Sequence, residues 1–331
     1  MKIDIFPHIM PVKYKDALVR LWTASSEIKK TIIEATPMIY DLDLRFRMMD
    51  QHEGLKQVLT LASPALEEVA DPEKSVDLAK LANDEMAELV TKYPDRFVAA
   101  VAALPMNNMD AALKEADRAI NDLKLRGVQV FTPINDRPLD SPEFHSLFEK
   151  MSHHGLPIWL HPARTENYAD YRTEERSRFG VNAVFGWPYE TTVAMTRLVF
   201  SGMLEKYPEL KIITHHCGGM VPYFDQRIVA LYEKMEAVRG RDPQMSKNPI
   251  EYFKKFYNDT ALYGSTPGLM CGYAFFGADH LLFGTDMPLG DRSGGQLNTA
   301  KTIASIDQMN ITQEEKKMIF EDNARRLLGL T

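Results

Sequence analysis

Short apolar runs recur along this chain, and the stretches between them carry apolar residues at helical spacing. The first stretch, Met1-Lys2-Ile3-Asp4-Ile5-Phe6-Pro7-His8-Ile9-Met10, reads as a short buried strand that starts almost at the first residue and closes on a proline and a histidine. Leu55-Lys56-Gln57-Val58-Leu59-Thr60-Leu61 reads as the next strand, broken by Ala62-Ser63-Pro64. Further strands are predicted over 96–102, 127–131, 156–160, 210–214, 255–260 and 280–284. Helices are predicted over 41–51, over 73–93 with Val76, Leu78, Leu81, Met86, Leu89 and Val90 on its apolar face, and over 109–123 behind the cap candidate Asn108. More follow over 141–154, introduced by Asp140-Ser141-Pro142-Glu143, over 190–205, up to about 238, and over 296–308 and 313–328. Residues 14–34 carry helical material and an insertion without a clear period, and 163–187 is irregular and long enough to be a loop or lid over a site.

Eight strand signals alternating with helices need crossover connections between parallel neighbours, and the whole chain has the size of one (β/α)8 TIM barrel. The expected architecture is a single α/β barrel domain over 1–331, with an insertion after the first strand and helices at the C-terminus. A doubly wound sheet is the runner-up, disfavoured because no Gly-x-Gly-x-x-Gly follows an early strand.

Composition narrows the function rather than the fold. The net charge is -7, from 39 basic and 46 acidic residues without a basic run, which argues against nucleic acid or anionic membrane as a partner. Only Cys217 and Cys271 occur, too few for a disulfide framework, and no leader-like or membrane-spanning run stands out. A cytoplasmic location is the expectation.

Four predicted strand ends carry candidate metal ligands: His8 after the first, His161 after the fifth, His215 and His216 after the sixth, and Asp286 after the eighth. In a (β/α)8 barrel those ends converge on one mouth, so mixed nitrogen and oxygen ligands far apart in sequence can form one zinc or manganese site. Each residue alone has a structural explanation, such as a strand end or a helix cap; together at strand ends they point to a metal.

These residues also carry a family resemblance. The opening strand resembles the His-x-His strand of the amidohydrolase superfamily in its decarboxylase-like branch, which includes aminocarboxymuconate-semialdehyde and resorcylate decarboxylases. Similar motifs run through Gly155 to Pro162, Trp187-Pro188-Tyr189-Glu190-Thr191-Thr192, His216 to Pro222, Gly284-Thr285-Asp286-Met287-Pro288 and Asn323 to Leu330. The resemblance implies that His8, His161 and Asp286 are metal ligands, that His216 is the catalytic histidine beside the metal, and that Asp286 also takes part in catalysis by helping to move a proton. It leaves His215 open, with a structural partner favoured over a ligand. It further implies that Arg227 reaches across a homodimer interface to a substrate carboxylate, and that Trp187 lines the substrate pocket. Glu190 is either part of the pocket or an N-terminal helix charge.

Two departures from the family pattern stand out. Phe6 occupies the position of the first His of His-x-His, or of a Glu in some decarboxylases, and a phenyl ring cannot ligate. Three protein ligands and a water still suit a catalytic zinc. The substrate-binding arginine of the semialdehyde decarboxylase also has no counterpart between Ile33 and Asp41, and Arg45 and Arg47 match helix positions instead. The resulting expectation is one divalent metal, zinc before manganese, in a non-oxidative decarboxylase of a small aromatic or unsaturated carboxylic acid. A metal-dependent hydrolase or hydratase of a lactone or unsaturated acid is the alternative, and a non-catalytic binding protein that lost its metal is the third reading.

Overall fold

The apolar runs form a ring of parallel strands. A computed structural model describes residues 1–21, 27–240, 244–291 and 293–330. The strands are β1 (Lys2–Asp4), β2 (His8–Ile9), β3 (Leu55–Leu61), β4 (Phe97–Ala100), β5 (Ala102–Ala103), β6 (Val128–Thr132), β7 (Ile158–Pro162), β8 (Ile212–Thr214), β9 (Tyr257–Asp259) and β10 (Leu281–Leu282). Because β1 and β2, and likewise β4 and β5, are segments of one run each, the ten segments occupy eight barrel positions, as expected for a (β/α)8 TIM barrel.

Every ladder between these strands is parallel. One arc joins β1 and β2 to β3 and β3 to β4; the other runs β5-β6-β7-β8-β9-β10. Backbone hydrogen bonds link the arcs at both seams: Val101 N to Leu59 O and Ala102 N to Gly127 O at one, and Ile5 N to Phe283 O (2.9 Å) and His8 N to Met287 O (2.7 Å) at the other. The second seam sets the first and last strand ends beside each other.

Two cores follow from strands buried on both faces. The inner one holds Ile3, Ile5, Phe6, Val58, Val101, Trp159, Ile213 and Leu282, closed at the bottom by Ala324, Leu327 and Leu328 of the last helix (Asn323–Leu328). Asn323 fastens that helix by donating to the carbonyls of Ala278 (2.7 Å) and Leu281 (2.8 Å). The larger outer core lies between the strands and the surrounding helices.

Local chemistry fixes the helix ends where the sequence signals them. The helix Pro72–Lys92 is capped by Asp71, which accepts from Lys74 N at 2.8 Å, and Met109–Asn121 by Asn108, which accepts from Ala111 N at 3.2 Å. The Ser141 signal works differently: a 3-10 turn, Pro142–Phe144, precedes the helix His145–His154, and the Ser141 side chain makes no cap bond. The helix predicted over 190–205 starts earlier and is split, into Trp187–Phe200 and Met203–Lys206. The helix Thr266–Phe276 has no counterpart among the sequence expectations, because TPGLMCGYAFF is apolar on every face and shows no helical contrast. In the insertion after the first strand, Val12–Leu21 and Glu27–Ala35 are helical, and the part of the 14–34 expectation that falls on 22–26 lies outside the described residues.

Glu67 sits in the helical turn Leu66–Val69 just after β3, only 9% exposed, and burial pushes its carboxyl up to about 7. Between the unfolded carboxyl value and 7, the folded chain therefore holds a proton that the unfolded chain has released, so stability falls as pH rises through that window, by up to ~1.4 kcal/mol per pH unit. Thermal midpoints at several pH values from ~5 to ~8 check this. The Glu67→Gln variant is expected to gain on wild type steadily towards the upper end, and parallel curves would refute the assignment.

Candidate metal centre

The centre is built on strand ends whose terminal residues are polar yet fully buried. His8 lies on β2, His161 on β7, His215 and His216 directly after β8, and Asp286 four residues after β10; none is more than 5% exposed. His8, His161 and His215 offer ring nitrogens within 4.8 Å of one another, and His215, His216 and Asp286 form a second such group. The barrel thus brings together all five of the residues that the strand ends carry.

Each of the first three imidazoles is oriented through Nδ1. The His161 Nδ1 donates to the Pro162 carbonyl at 2.7 Å. The His8 Nδ1 faces the Thr60 hydroxyl at 3.3 Å, and that hydroxyl donates to the Pro7 carbonyl at 2.9 Å, so the imidazole N–H is the donor towards Thr60. The His215 Nδ1 donates to Asp259 Oδ2, while Asp259 Oδ1 accepts from the backbone N–H groups of Cys217 (3.2 Å) and Ala261 (3.0 Å). With the proton on Nδ1, each ring turns a bare Nε2 inward.

Among the described residues, two of those inward nitrogens lack partners, as do two atoms beside them. His8 Nε2, His215 Nε2, His216 Nδ1 and Asp286 Oδ1 are buried without a hydrogen bond. Asp286 Oδ1 lies 3.1 Å from His8 Nε2 and 3.5 Å from His215 Nε2, a set of acceptors facing one another. A buried polar atom left this way costs about 1–3 kcal/mol, and several converging on one point would repel unless a cation lay among them. Neutral imidazoles and a carboxylate are the donor set of a zinc or manganese ion, so the residues present fit a divalent metal.

Titration behaviour follows from the same crowding. Burial and the nearby His215 and His8 hold His161 well below the usual histidine value; burial and His215 take His216 to about 3. Burial alone would lower His215, but the Asp259 carboxylate outweighs it and carries the ring up to about 10, so the inward Nε2 is bare once a bound cation displaces its proton. Burial would raise Asp286, and the facing His215 and His8 rings overcome that to hold it well below the carboxylate range.

Several supporting groups gave no sequence signal of their own. Tyr263 donates from its hydroxyl to Asp286 Oδ2 at 2.6 Å, and its ring occupies the space beside Gly290, where a Cβ would meet Tyr263 Cε1 at 2.1 Å. Asp4 accepts from Thr285 N (3.0 Å), Thr285 Oγ1 (2.5 Å) and Phe6 N (3.2 Å), tying the first strand to the loop that bears Asp286. His216, Cys217, Tyr263 and Asp286 all have left-handed backbones, at φ of 55°, 53°, 53° and 62°, a conformation costing roughly 1–2 kcal/mol each that concentrates at functional sites. Asp259, which orients His215, did carry a clue, as part of the polar Asn258-Asp259-Thr260 that ends a predicted strand.

The remaining sequence candidates divide. Trp187 stands beside the cluster, its ring 5.8 Å from that of His161 and 6.3 Å from that of His216, held by a 2.9 Å bond from Nε1 to the Arg164 carbonyl. Glu190 is buried, accepts from Thr132 Oγ1 at 3.2 Å and lies 4.0 Å from the Arg164 guanidinium, with burial raising its carboxyl. Arg227 does not reach the cluster of its own chain; it is exposed on the helix Asp225–Arg239. Arg45 is fully buried and donates to the His8 carbonyl and to Gln57 Oε1 (2.8 Å), a structural clamp beneath His8.

Known proteins share this architecture. The amidohydrolase family model matches residues 8–330. The gamma-resorcylate decarboxylase of Rhizobium radiobacter is 32% identical over 294 residues, covering 86% of this chain and 88% of that protein. Among solved structures, 5-carboxyvanillate decarboxylase from Sphingomonas paucimobilis superposes with a TM-score of 0.86 at 25% identity, over 100% of this chain and 99% of that one. A dihydroxybenzoic acid decarboxylase from Polaromonas, with bound manganese and the inhibitor 2-nitroresorcinol, gives a TM-score of 0.80 at 27% identity over 99% and 96% of the two chains.

Replacing ligands should empty the centre. After expression in zinc- or manganese-supplemented medium, elemental analysis of His161→Ala and Asp286→Asn is expected to give well under the roughly one metal per chain of wild type. Tyr263→Phe should keep the metal with affinity lowered about tenfold. Wild-type metal content in both ligand variants would rule the site out.

Proposed function

We propose, from the premise that the chain belongs to the amidohydrolase family, that it is a metal-dependent carboxy-lyase, a non-oxidative decarboxylase of a small aromatic carboxylic acid. The observation that carries this reading is the convergence of unpartnered ring nitrogens on Asp286, in a chain so similar to decarboxylases of hydroxylated benzoates. His8, His161 and Asp286 would hold the ion. Once bound, it supplies a Lewis acid that anchors substrate oxygens and offsets developing negative charge. The histidine-rich donor set favours zinc, with manganese, present in the Polaromonas neighbour, as the second choice.

The chain's own groups supply orientation and proton transfer. Trp187 and Phe131, whose ring lies 4.9 Å from that of His161, offer a flat apolar wall to a planar substrate. His216 stands beside the cluster and its buried Nδ1 has no partner among the described residues, which places it to take a proton from a substrate hydroxyl and return it. In the net reaction the bond from ring carbon to carboxylate breaks, its electron pair stays on the ring carbon, that carbon takes one proton, and carbon dioxide leaves. The intact donor cluster weighs against a non-catalytic binding protein. Among the described residues no helix is long and apolar enough to cross a membrane; a cytoplasmic setting, in keeping with two free cysteines, is part of the proposal.

A homodimer completes the proposal. The helix Asp225–Arg239 presents Arg227 on the same side as Leu231, Met235 and Val238, and the last is 74% exposed. With Tyr223 and Phe224 just before it, this apolar stripe suits burial against a second copy. Arg227 would then reach a carboxylate in the partner's mouth, in the bidentate geometry guanidinium favours.

Two measurements test these readings. Carbon dioxide release is expected from at least one member of a panel of hydroxylated benzoates, and His216→Asn should lower kcat by about 10²–10⁴-fold while metal content stays unchanged. Hydrated or ring-opened products with no carbon dioxide would instead favour the hydrolase or hydratase. Light scattering on the eluting protein should give the mass of two chains, reduced to one by Leu231→Glu with Met235→Glu; a wild-type monomer would end the case for Arg227 acting across an interface.

A further inference from the structure

We infer that His215 is the third histidine ligand of the metal centre and takes over the coordination that Phe6 cannot give. This rests on the reading of the cluster as a metal site. His215 is the one residue common to both ligand groups, sharing the first with His8 and His161 and the second with His216 and Asp286. Its Nδ1 is fixed by Asp259, and its Nε2, fully buried, has no hydrogen bond and points towards Asp286 Oδ1. A carboxylate on one ring nitrogen with the other left bare is the arrangement that orients a metal-binding imidazole.

A purely structural His215 explains less. Pairing with Asp259 uses only Nδ1, and a side chain placed for that pairing alone has no reason to direct a second nitrogen among the unpartnered atoms of His8 and Asp286. Phe6 provides the independent support. Its ring, fully buried, stacks on the His215 ring with centroids 4.3 Å apart and planes 25° from parallel, while the rings of His8 and His161 lie farther off at 5.6 and 5.9 Å. The phenyl group thus occupies the ligand position of the first strand as a buttress for His215. Close approach at Gly284, where a Cβ would come within 3.3 Å of Phe6 Cβ and 2.8 Å of Asp259 Cβ, keeps buttress and orienting carboxylate side by side. Against the family pattern the first strand lacks a ligand at Phe6, and His215 after the sixth, a position the resemblance leaves open, would supply one. His216, outside the group formed by His8 and His161, remains the residue free to carry a proton.

Cobalt(II) is the probe, titrated into metal-stripped full-length protein and followed by its visible ligand-field bands. Wild type is expected to bind at one site. His215→Asn should bind at least ~100-fold more weakly with altered bands, Asp259→Asn about 10–100-fold more weakly, and His216→Asn within a few-fold of wild type. Phe6→His combined with His215→Gly should recover at least ~10-fold over His215→Gly alone, by restoring a ligand on the first strand. Should His215→Asn fail to fold by circular dichroism, the Asp259→Asn affinity and the double-variant recovery decide the question. Wild-type affinity and bands in His215→Asn, or in Asp259→Asn with no recovery in the double variant, would overturn the inference and leave the decarboxylase reading standing. Absence of any cobalt binding by wild type would overturn both.

Discussion

Everything in the mouth of this barrel depends on how three imidazoles are protonated. His8, His161 and His215 each commit the Nδ1 proton to an acceptor behind the ring, respectively the Thr60 hydroxyl, the Pro162 carbonyl and the Asp259 carboxylate. What faces inward is therefore a set of bare nitrogens against the Asp286 carboxylate. Water could not satisfy several acceptors at once, because each of its two hydrogens serves only one; a divalent cation can. Such a cluster is tolerable in the folded chain when a cation binds it, which couples folding to metal uptake.

The rest of the fold keeps those rings from relaxing. The seam between first and last strands, reinforced by Asp4 on Thr285, fixes Asp286 relative to His8. Arg45, fully buried, holds the His8 carbonyl from below. Left-handed backbones at His216, Cys217, Tyr263 and Asp286 store strain that only a well-packed surround can impose. Tyr263, seated against Gly290, holds the outer oxygen of Asp286 and leaves the inner one to the cluster.

Much of the helical frame was legible in advance: Asn108 stood out as a cap candidate, and it and Asp71, which did not, cap their helices through contacts three residues away. Thr266–Phe276 was not, since a helix apolar on all faces carries no periodic contrast and its boundaries are set by what packs around it. Trp187 lies beside the cluster, whereas Arg227 is exposed within its own chain.

By itself the sequence determined the ring of parallel strands and the chemistry placed at their ends. Alternating apolar runs and crossover helices leave few topologies, and histidines ending three strands with an aspartate after the eighth are visible without coordinates. Only the tertiary structure decided which of His215 and His216 joins His8 and His161, and what Phe6 does. Two adjacent histidines look equivalent in a sequence. They are separated by the left-handed turn at His216, by the Asp259 carboxylate reaching across from the neighbouring strand, and by the phenyl ring stacked on one of them. Those are contacts between residues 44 and more than 200 positions apart, and no local pattern encodes them.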